Sequence, residues 1–291
     1  MPELPEVEVV RLFLNANLIG KTISKLEIIS SKPARSAGGS FLGNPKLAEG
    51  QKIISTSRLG KQLSLNLENG LIILFHLKMT GQIIVGDSIF GHPTPLHSFS
   101  EGWPNKSTRL FFTFSDGSKL FFNDQRKFGW VKLLTKTELV EFQQNLGVDI
   151  LSPAFTPKYF YNQLQKTSRP IKTVLLDQSF FAGIGNIYAN DALFLAKIHP
   201  ISPSNKISPK IVTLLHNFLI QIMTESIKNG GSTAKDNKYI HPDGSLGQHQ
   251  FSFQVYQRSG QPCLICQTPI TRVIIGGRGT FYCSKCQKVI R

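Results

Sequence analysis

Val7, Val10, Leu14 and Leu18 recur at spacings of three and four residues behind Pro5 and ahead of Gly20. That pattern predicts an amphipathic helix that Pro5 opens within its first turn and Gly20 closes. From about Ile23 to Leu134 the period shortens. Runs at 53–57, 62–67 and 71–77 read as strands separated by turn residues, and runs at 110–114 and 119–122 flank Ser115-Asp116-Gly117-Ser118 as a hairpin. These strands predict a β-sandwich. Residues 86–106 scatter Gly, Pro, His and Ser without a period and predict a long surface loop. Beyond Thr135 the helical period returns at 136–145, 157–166, 171–176, 186–197 and 208–228. Residues 230–250 are polar and glycine-bearing, which predicts a mobile loop; 251–256 alternate, and a cysteine module follows. The fold class expected is α+β in two domains, a β-sandwich with flanking helices followed by a helical domain with a zinc ribbon.

Charge narrows the choice of partner. A chain of 291 residues with 41% hydrophobic content can bury a substantial core. Its 33 Lys and Arg against 18 Asp and Glu leave a formal charge of +15, which favours DNA, RNA or an acidic membrane. The opening MPELPEVEVV carries acids where a secretory signal would be basic and then apolar, and no uncharged apolar run of about 18 residues occurs. The chain reads as soluble and intracellular, a setting in which cysteines serve as metal ligands before they form disulfides. Cys263 and Cys266, sixteen intervening residues, then Cys283 and Cys286 match the spacing of a tetrahedral four-thiolate zinc site. Such a closed site is structural, because no coordination position is left for water or substrate. Arg258, Arg272, Arg278, Lys285, Lys288 and Arg291 surround it and make a basic hairpin suited to phosphate contacts, although zinc ribbons also bind proteins.

Glu3, Glu6 and Glu8 stand at the start of the first helix, where carboxylates favour the positive end of the helix dipole. Pro2 adds a chemical possibility. Removal of Met1 would make it a terminal secondary amine, and a terminal amine has a pKa about 2 to 3 units below that of a lysine. Unprotonated near neutral pH, such an amine can attack a sugar carbon or an aldehyde and form an iminium while an adjacent carboxylate moves protons.

MPELPEVE at the start, RLGKQL at 58–63, HLKMTG at 76–81, NDQRKFG at 123–129, GIGNIYA at 183–189, GGST at 230–233, and VYQRSGQPC with the remaining cysteines follow one another along the chain. In this order they resemble the formamidopyrimidine-DNA glycosylase family nearly end to end. The resemblance implies a catalytic β-sandwich domain over 1–135, a linker region over 136–155, a helix-two-turn-helix domain with a lesion-recognition loop over 156–250, and a zinc finger over 254–288, with DNA in the cleft between the halves. It implies a base-excision-repair enzyme that removes 8-oxoguanine and formamidopyrimidines from duplex DNA and then cleaves the abasic strand as a lyase. Pro2 would be the nucleophile, forming a Schiff base with the sugar C1′; Glu3 would handle protons on the opening sugar, with Glu6 in support, and Lys61 would hold the lesion-side backbone. Asn186 would contact phosphate, aided by the N–H groups that open the following helix. Arg278 would pin the phosphates flanking the lesion, and Lys172 belongs to the same DNA-binding set. Met79, Arg126 and Phe128 would enter the duplex and fill the space left by the extruded base. One structural Zn2+ is the cofactor implied and DNA with oxidised bases the partner; the chain would act as a monomer, in a bacterial-type cytoplasm at the nucleoid.

Taken singly, Lys61 reads as a solvated turn lysine, and Met79 and Phe128 as core residues. A dinucleotide loop competes for GIGN, but no third glycine follows Gly183 and Gly185 at the right offset and no βαβ pattern surrounds them. Several positions depart from the family pattern. Lys78 stands where glycine is usual, Gln125-Arg126-Lys127 replaces Pro-Arg-Arg, Ser107-Thr108-Arg109 replaces a histidine-bearing stretch, and the loop at 86–106 is longer. Two alternatives stay open: an endonuclease VIII type enzyme acting on oxidised pyrimidines, and a catalytically inactive protein that binds damaged DNA. By resemblance, Leu4 and the GGST-led loop favour the purine enzyme, and Pro2, Glu3 and Lys61 together speak against an inactive binder.

Overall fold

Strands at 23–134 alternate apolar and polar residues so that two sheets can close over one core. A computed structural model describes residues 2–29, 41–86, 103–233 and 239–291. The first helix, α1 (Leu4–Leu18), buries Val7, Val10, Leu14 and Leu18, and Gly20 follows it with φ 86°. After it come β1 (Ile23–Ile28), β2 (Phe41–Leu42), β3 (Ile53–Leu59), β4 (Gln62–Leu67), β5 (Ile72–His76), β6 (Gly81–Gly86), β7 (Thr108–Phe114), β8 (Lys119–Asp124), β9 (Trp130–Leu134) and α2 (Lys136–Gln143). One sheet runs β1-β7-β8-β6 and the other β2-β9-β5-β4-β3. Phe75 of β5 meets Phe112 and Phe122 of the opposite sheet at ring separations of 6.2 and 6.1 Å. The apolar stripe of α1 joins the same cluster, so the predicted sandwich has one core. The chain changes sheet twice at one end, through 77–80 between β5 and β6 and through 125–129 between β8 and β9. The pairs His76 with Trp130 and Gly81 with Asp124 set these two crossovers side by side.

The second unit contains β10 (Val148–Asp149), α3 (Pro157–Leu164), α4 (Ile171–Leu175), β11 (Phe181–Ala182), α5 (Asn186–Leu195), α6 (Pro209–Lys228), β12 (Thr271–Ile275) and β13 (Arg278–Tyr282). Phe155, Phe160 and Phe181 pack around one another and against the His216 ring of α6. Helix α5 is buried from Ile187 to Phe194, and Phe194 shares a cluster with Val255, Ile270, Phe281, Cys263 and Cys283.

Four expectations meet a different arrangement. Residues 229–248 belong with the first unit rather than with the helices on either side of them, and 249–291 return to the second. The cause is polar as well as apolar: Tyr239 enters the sandwich core, and the Val85 N–H donates to the Pro242 carbonyl at 2.9 Å. The expected mobile loop at 230–250 is, in its described residues, bonded throughout. The Gly247 N–H donates to Thr233 Oγ1 at 2.9 Å, and the His241 ring spans Ser245 and the Gly230 carbonyl; residues 234–238 lie outside the described residues. In the expected linker region at 136–155, α2 packs on the first unit, with Phe142 edge-on to Trp130 and Gln143 donating to Gln62 at 2.9 Å. Residues 251–256 make no strand. Their N–H groups at 254, 255 and 256 all donate to the buried Asp191 carboxylate at 2.9 to 3.0 Å, which curls the segment. Most of the long loop at 86–106, residues 87–102, lies outside the described residues.

Candidate functional site

Pro2 and Glu3 are buried at the head of α1, and a reciprocal capping box fixes them. The Glu3 carboxylate accepts from the Glu6 backbone N–H, while Glu6 Oε2 accepts from the Glu3 N–H at 2.8 Å. The second oxygen of Glu6 accepts from the Ser232 N–H at 2.8 Å, and the Tyr239 hydroxyl donates to the Glu6 carbonyl at 3.2 Å. Burial, with the Glu6 charge beside it, pushes the Tyr239 phenol well above its ordinary value, so it stays a donor. Gly231 has φ 75°, and a Cβ there would come within 3.0 Å of Glu6 Cγ, so the Gly230-Gly231 step lets the backbone approach this carboxylate. Thus Glu6 links the chain's first residues to the GGST segment.

Lys61 lies with Gly60 (φ 57°) in the two-residue turn between β3 and β4 and is nearly buried. Arg58 donates to the Gly60 carbonyl and to Glu8 Oε2, both at 2.9 Å, and Arg11 donates to the same carboxylate. This chain of contacts draws the turn toward α1. Gln62 pairs with His76, which is therefore a near neighbour of Lys61. Burial and the charges of Lys78 and Lys61 push His76 down to about 3. Its Nδ1 accepts the Lys78 N–H at 3.0 Å, so the neutral ring carries its proton on Nε2.

Met79 sits half-buried on one sheet crossover; Arg126 and Phe128 are exposed on the other, with the guanidinium 4.9 Å from the Phe128 ring centre. Asp124, the second residue of the NDQRKFG run, organises both. Fully buried, it accepts from Thr80 Oγ1 beside Met79, from the Arg126 N–H at 3.2 Å and from the Gly129 N–H at 2.6 Å. Arg109, in the departing Ser107-Thr108-Arg109 stretch, is buried and donates to the Asp124 carbonyl at 2.9 Å.

In the second unit Cys263, Cys266, Cys283 and Cys286 bring all four Sγ atoms within 4.8 Å of one another, with 3.9 Å from Cys263 to Cys286 and 3.4 Å from Cys266 to Cys283. Zinc–sulfur bonds near 2.3 Å at tetrahedral angles require separations of about 3.8 Å. The sulfurs of Cys263 and Cys283 also accept the backbone N–H groups of Ile265 and Cys286 at 3.4 Å, as thiolates wrapped by a turn would. The residues fit one structural zinc, which would organise the finger and leave no position for substrate.

Gly276 and Gly277, with φ 57° and 71°, make the finger's hairpin turn and present Arg278 at its tip, exposed. Lys172 was expected among the DNA contacts, yet its side chain is fully buried. Its ammonium donates to the Gly279 carbonyl at 2.9 Å and to Thr280 Oγ1 at 2.6 Å, immediately behind Arg278. Asn186, the first residue of α5, donates to the same carbonyl at 3.0 Å, and Asn190 accepts from the Phe281 N–H at 2.9 Å. Lys172, Asn186 and Arg278 therefore meet around one peptide group.

Family models account for the chain in three consecutive segments: the formamidopyrimidine-DNA glycosylase N-terminal domain over residues 1–131, its H2TH domain over 146–238, and a zinc finger found in FPG and IleRS over 260–289. The class of protein is a DNA glycosylase carrying a zinc finger. Formamidopyrimidine-DNA glycosylases of Bacillus licheniformis and Listeria innocua are 39% and 38% identical to it, with 99% of this chain and all of each relative covered. The crystal structure of the MutM (Fpg) protein from Thermus thermophilus superposes with a TM-score of 0.83 at 35% identity, covering 98% of both chains. That of Lactococcus lactis Fpg with DNA containing an abasic site gives 0.84 at 30% identity, covering 99% of this chain and 100% of that one. The chain belongs to the formamidopyrimidine-DNA glycosylase family. Among the described residues no helix is long and apolar enough to cross a membrane.

Proposed function

We propose that this chain binds duplex DNA and excises oxidised purines, 8-oxoguanine and formamidopyrimidines, and that it then cleaves the abasic strand with Pro2 as its nucleophile. With Met1 removed, the Pro2 nitrogen attacks C1′ of the extruded nucleoside and the base departs with the electrons of the glycosidic bond. The nitrogen then gives its proton to the departing base, and the lone pair so restored forms the iminium as the C1′–O4′ bond breaks and the sugar opens. Glu3 carries the proton for ring opening, Glu6 holds the Glu3 backbone in place, and Lys61 holds the lesion-side phosphate. Elimination of the 3′ and then the 5′ phosphate leaves a one-nucleotide gap. Met79, Arg126 and Phe128 fill the vacated space, while Asn186 and Arg278 grip the flanking phosphates. The protein works as a monomer on nucleoid DNA in the cytoplasm.

The observation that carries this reading is the clamp of Glu6 between the Glu3 and Ser232 N–H groups. A carboxylate so held orients a buried terminal residue with little freedom, which is what an attacking amine needs. Relatives support the substrate class: a MutM protein has been crystallised with DNA containing carbocyclic 8-oxo-G, and Lactococcus lactis Fpg with DNA containing N7-benzyl-Fapy-dG.

Borohydride added during reaction with an 8-oxoguanine duplex should trap the protein covalently, and peptide mapping should place the adduct on the Pro2 nitrogen. Protein that retains Met1, whose Pro2 nitrogen is an amide, should trap nothing. An adduct on a lysine would refute the role of Pro2. Turnover of oxidised thymine without 8-oxoguanine would refute the substrate class.

A further inference from the structure

Lys78 holds a left-handed backbone, φ 52°, on the four-residue crossover that also carries Met79. Glycine adopts that conformation freely, whereas a side chain there is strained, and strain of this kind persists where the surroundings or the function require the residue. The backbone alone therefore does not account for a lysine at this position. Its N–H donates to His76 Nδ1 at 3.0 Å, which turns the ring's remaining proton to Nε2. The pairing of Gln62 with His76 puts Lys61 one residue beyond that ring at the hairpin tip. The turn that carries Lys61 and the crossover that carries Lys78 and Met79 thus meet at the His76 ring, and the charges acting on that ring are both positive. Among the described residues the Lys78 ammonium makes no ion pair, and its side chain is half-exposed. A half-exposed lysine charge set close to a second positive charge, maintained against backbone strain, matches an anion carried by the partner.

We propose that Lys78 is a DNA phosphate contact in its own right, which extends Lys61 and His76 into a three-donor cradle and sets how tightly this chain holds duplex. The proposal rests on the DNA-binding reading above. It uses the flexible stem of lysine: the strained backbone fixes the Cα beside Met79, and four methylenes let the charge reach the phosphate next to the wedge.

The test is binding of the full-length zinc-loaded protein to an undamaged duplex and to one with a tetrahydrofuran abasic analogue, across a salt series, for wild type, Lys78→Gly and Lys78→Arg. Lys78→Gly should bind both duplexes roughly fivefold more weakly at about 0.1 M salt and lower the logarithmic salt slope by about 0.9, the contribution of one phosphate. Its thermal midpoint should rise by about 2 °C as strain is relieved. Lys78→Arg should restore affinity and slope but not the midpoint. Equal slopes in wild type and Lys78→Gly would overturn the proposal, as would a fall in the Lys78→Gly midpoint, which would mean the side chain serves internal packing. If wild type binds with a steep salt slope yet excises nothing, the catalytic reading fails while the Lys78 comparison still decides this one.

Discussion

At the 125–129 crossover the exposed Arg126 stands on a backbone whose N–H groups are gripped by a buried carboxylate, Asp124. At the finger tip the exposed Arg278 precedes a carbonyl gripped by a buried ammonium, Lys172. The two devices have opposite sign because the two turns leave opposite groups over. The tight crossover turns the N–H groups of Arg126 and Gly129 inward, whereas the hairpin turn leaves the Gly279 carbonyl facing α4 and α5. In each case a buried charge is kept because peptide dipoles and a hydroxyl, Thr80 or Thr280, satisfy it. The lesson is that an exposed guanidinium on a turn is steered by its backbone, and the backbone by a buried partner.

The largest effect that could break this symmetry is loss of the metal, since among the described residues the finger alone gathers ligands for one. Cys283→Ser, or chelation, should abolish zinc stoichiometry and remove binding free energy of about 10 to 16 kcal/mol from that module. Duplex affinity should fall by orders of magnitude while the sandwich still unfolds cooperatively. Normal zinc content with full affinity would exclude the four-thiolate site.

Next in size is Asp124→Ala, which strands the Thr80 hydroxyl and the Gly129 N–H and leaves the Arg126 N–H only its bond to Thr80 Oγ1. Removing one side of a buried charged network costs about 3 to 5 kcal/mol, so the unfolding midpoint should drop by roughly 10 °C. Asp124→Asn, which keeps two of the acceptor contacts at most, should fall between. If Arg126 reaches the base opposite the lesion, its guanidinium, which only donates, should favour cytosine by about 1 to 3 kcal/mol through the O2 and N3 acceptors; single-turnover excision opposite cytosine and adenine should show that preference lost in Arg126→Ala and blurred in Asp124→Asn. Full stability in Asp124→Ala would show that the carboxylate organises nothing.

These two residues mark the limit of what could be read from the chain. The α1 stripe, the hairpin around Ser115–Ser118 and the four cysteines were legible because each is a local periodicity or spacing, and the elements lie within a few residues of expectation. Asp124 and Lys172 were not, since a buried charge is recognisable only from the distant groups that neutralise it, Thr80 at one and Gly279 at the other. The same holds for residues 229–248, which look like a polar loop locally and join the sandwich through distant partners such as Glu6 and Val85. Asp191 likewise overrode the alternation at 251–256 from 63 to 65 residues away.

Lys172→Met sharpens the comparison from the other side. It leaves the Gly279 carbonyl with one fewer charged donor and should cost about 2 kcal/mol of finger stability. Its decisive readout is a double-mutant cycle with Arg278→Ala on duplex affinity. A positioning residue loses its effect once Arg278 is gone, so the combined loss should be clearly smaller than the two single losses added. A lysine that touched phosphate itself would add its loss in full and lower the salt slope by about one further unit.

The smallest effect concerns Glu8, a third carboxylate in the same unit as Asp124 but closer to solvent, with its side chain 15% exposed. Burial alone would raise its pKa, but the hydrogen bonds and charges of Arg11 and Arg58 outweigh that and hold it below the ordinary glutamate range. A carboxyl whose folded value is depressed contributes stability above its unfolded value, about 4.3, and loses it as pH falls through the folded value. Glu8→Gln should therefore be less stable than wild type by about 1 kcal/mol at pH 7, the scale of a partly exposed ion-pair network. The gap should narrow as pH falls below about 4.3 and close once Glu8 is neutral in both states. Thermal midpoints of the two proteins at pH 7, 4 and 2 measure this directly, and comparing them cancels the other titrating groups. Raising salt at pH 7 should also narrow the gap, because this carboxylate is only partly withdrawn from solvent, whereas the fully buried Asp124 should show no such dependence. A gap that stays constant as pH falls would mean that Glu8 ties the Lys61 turn to α1 through packing alone, unlike the fully buried Asp124.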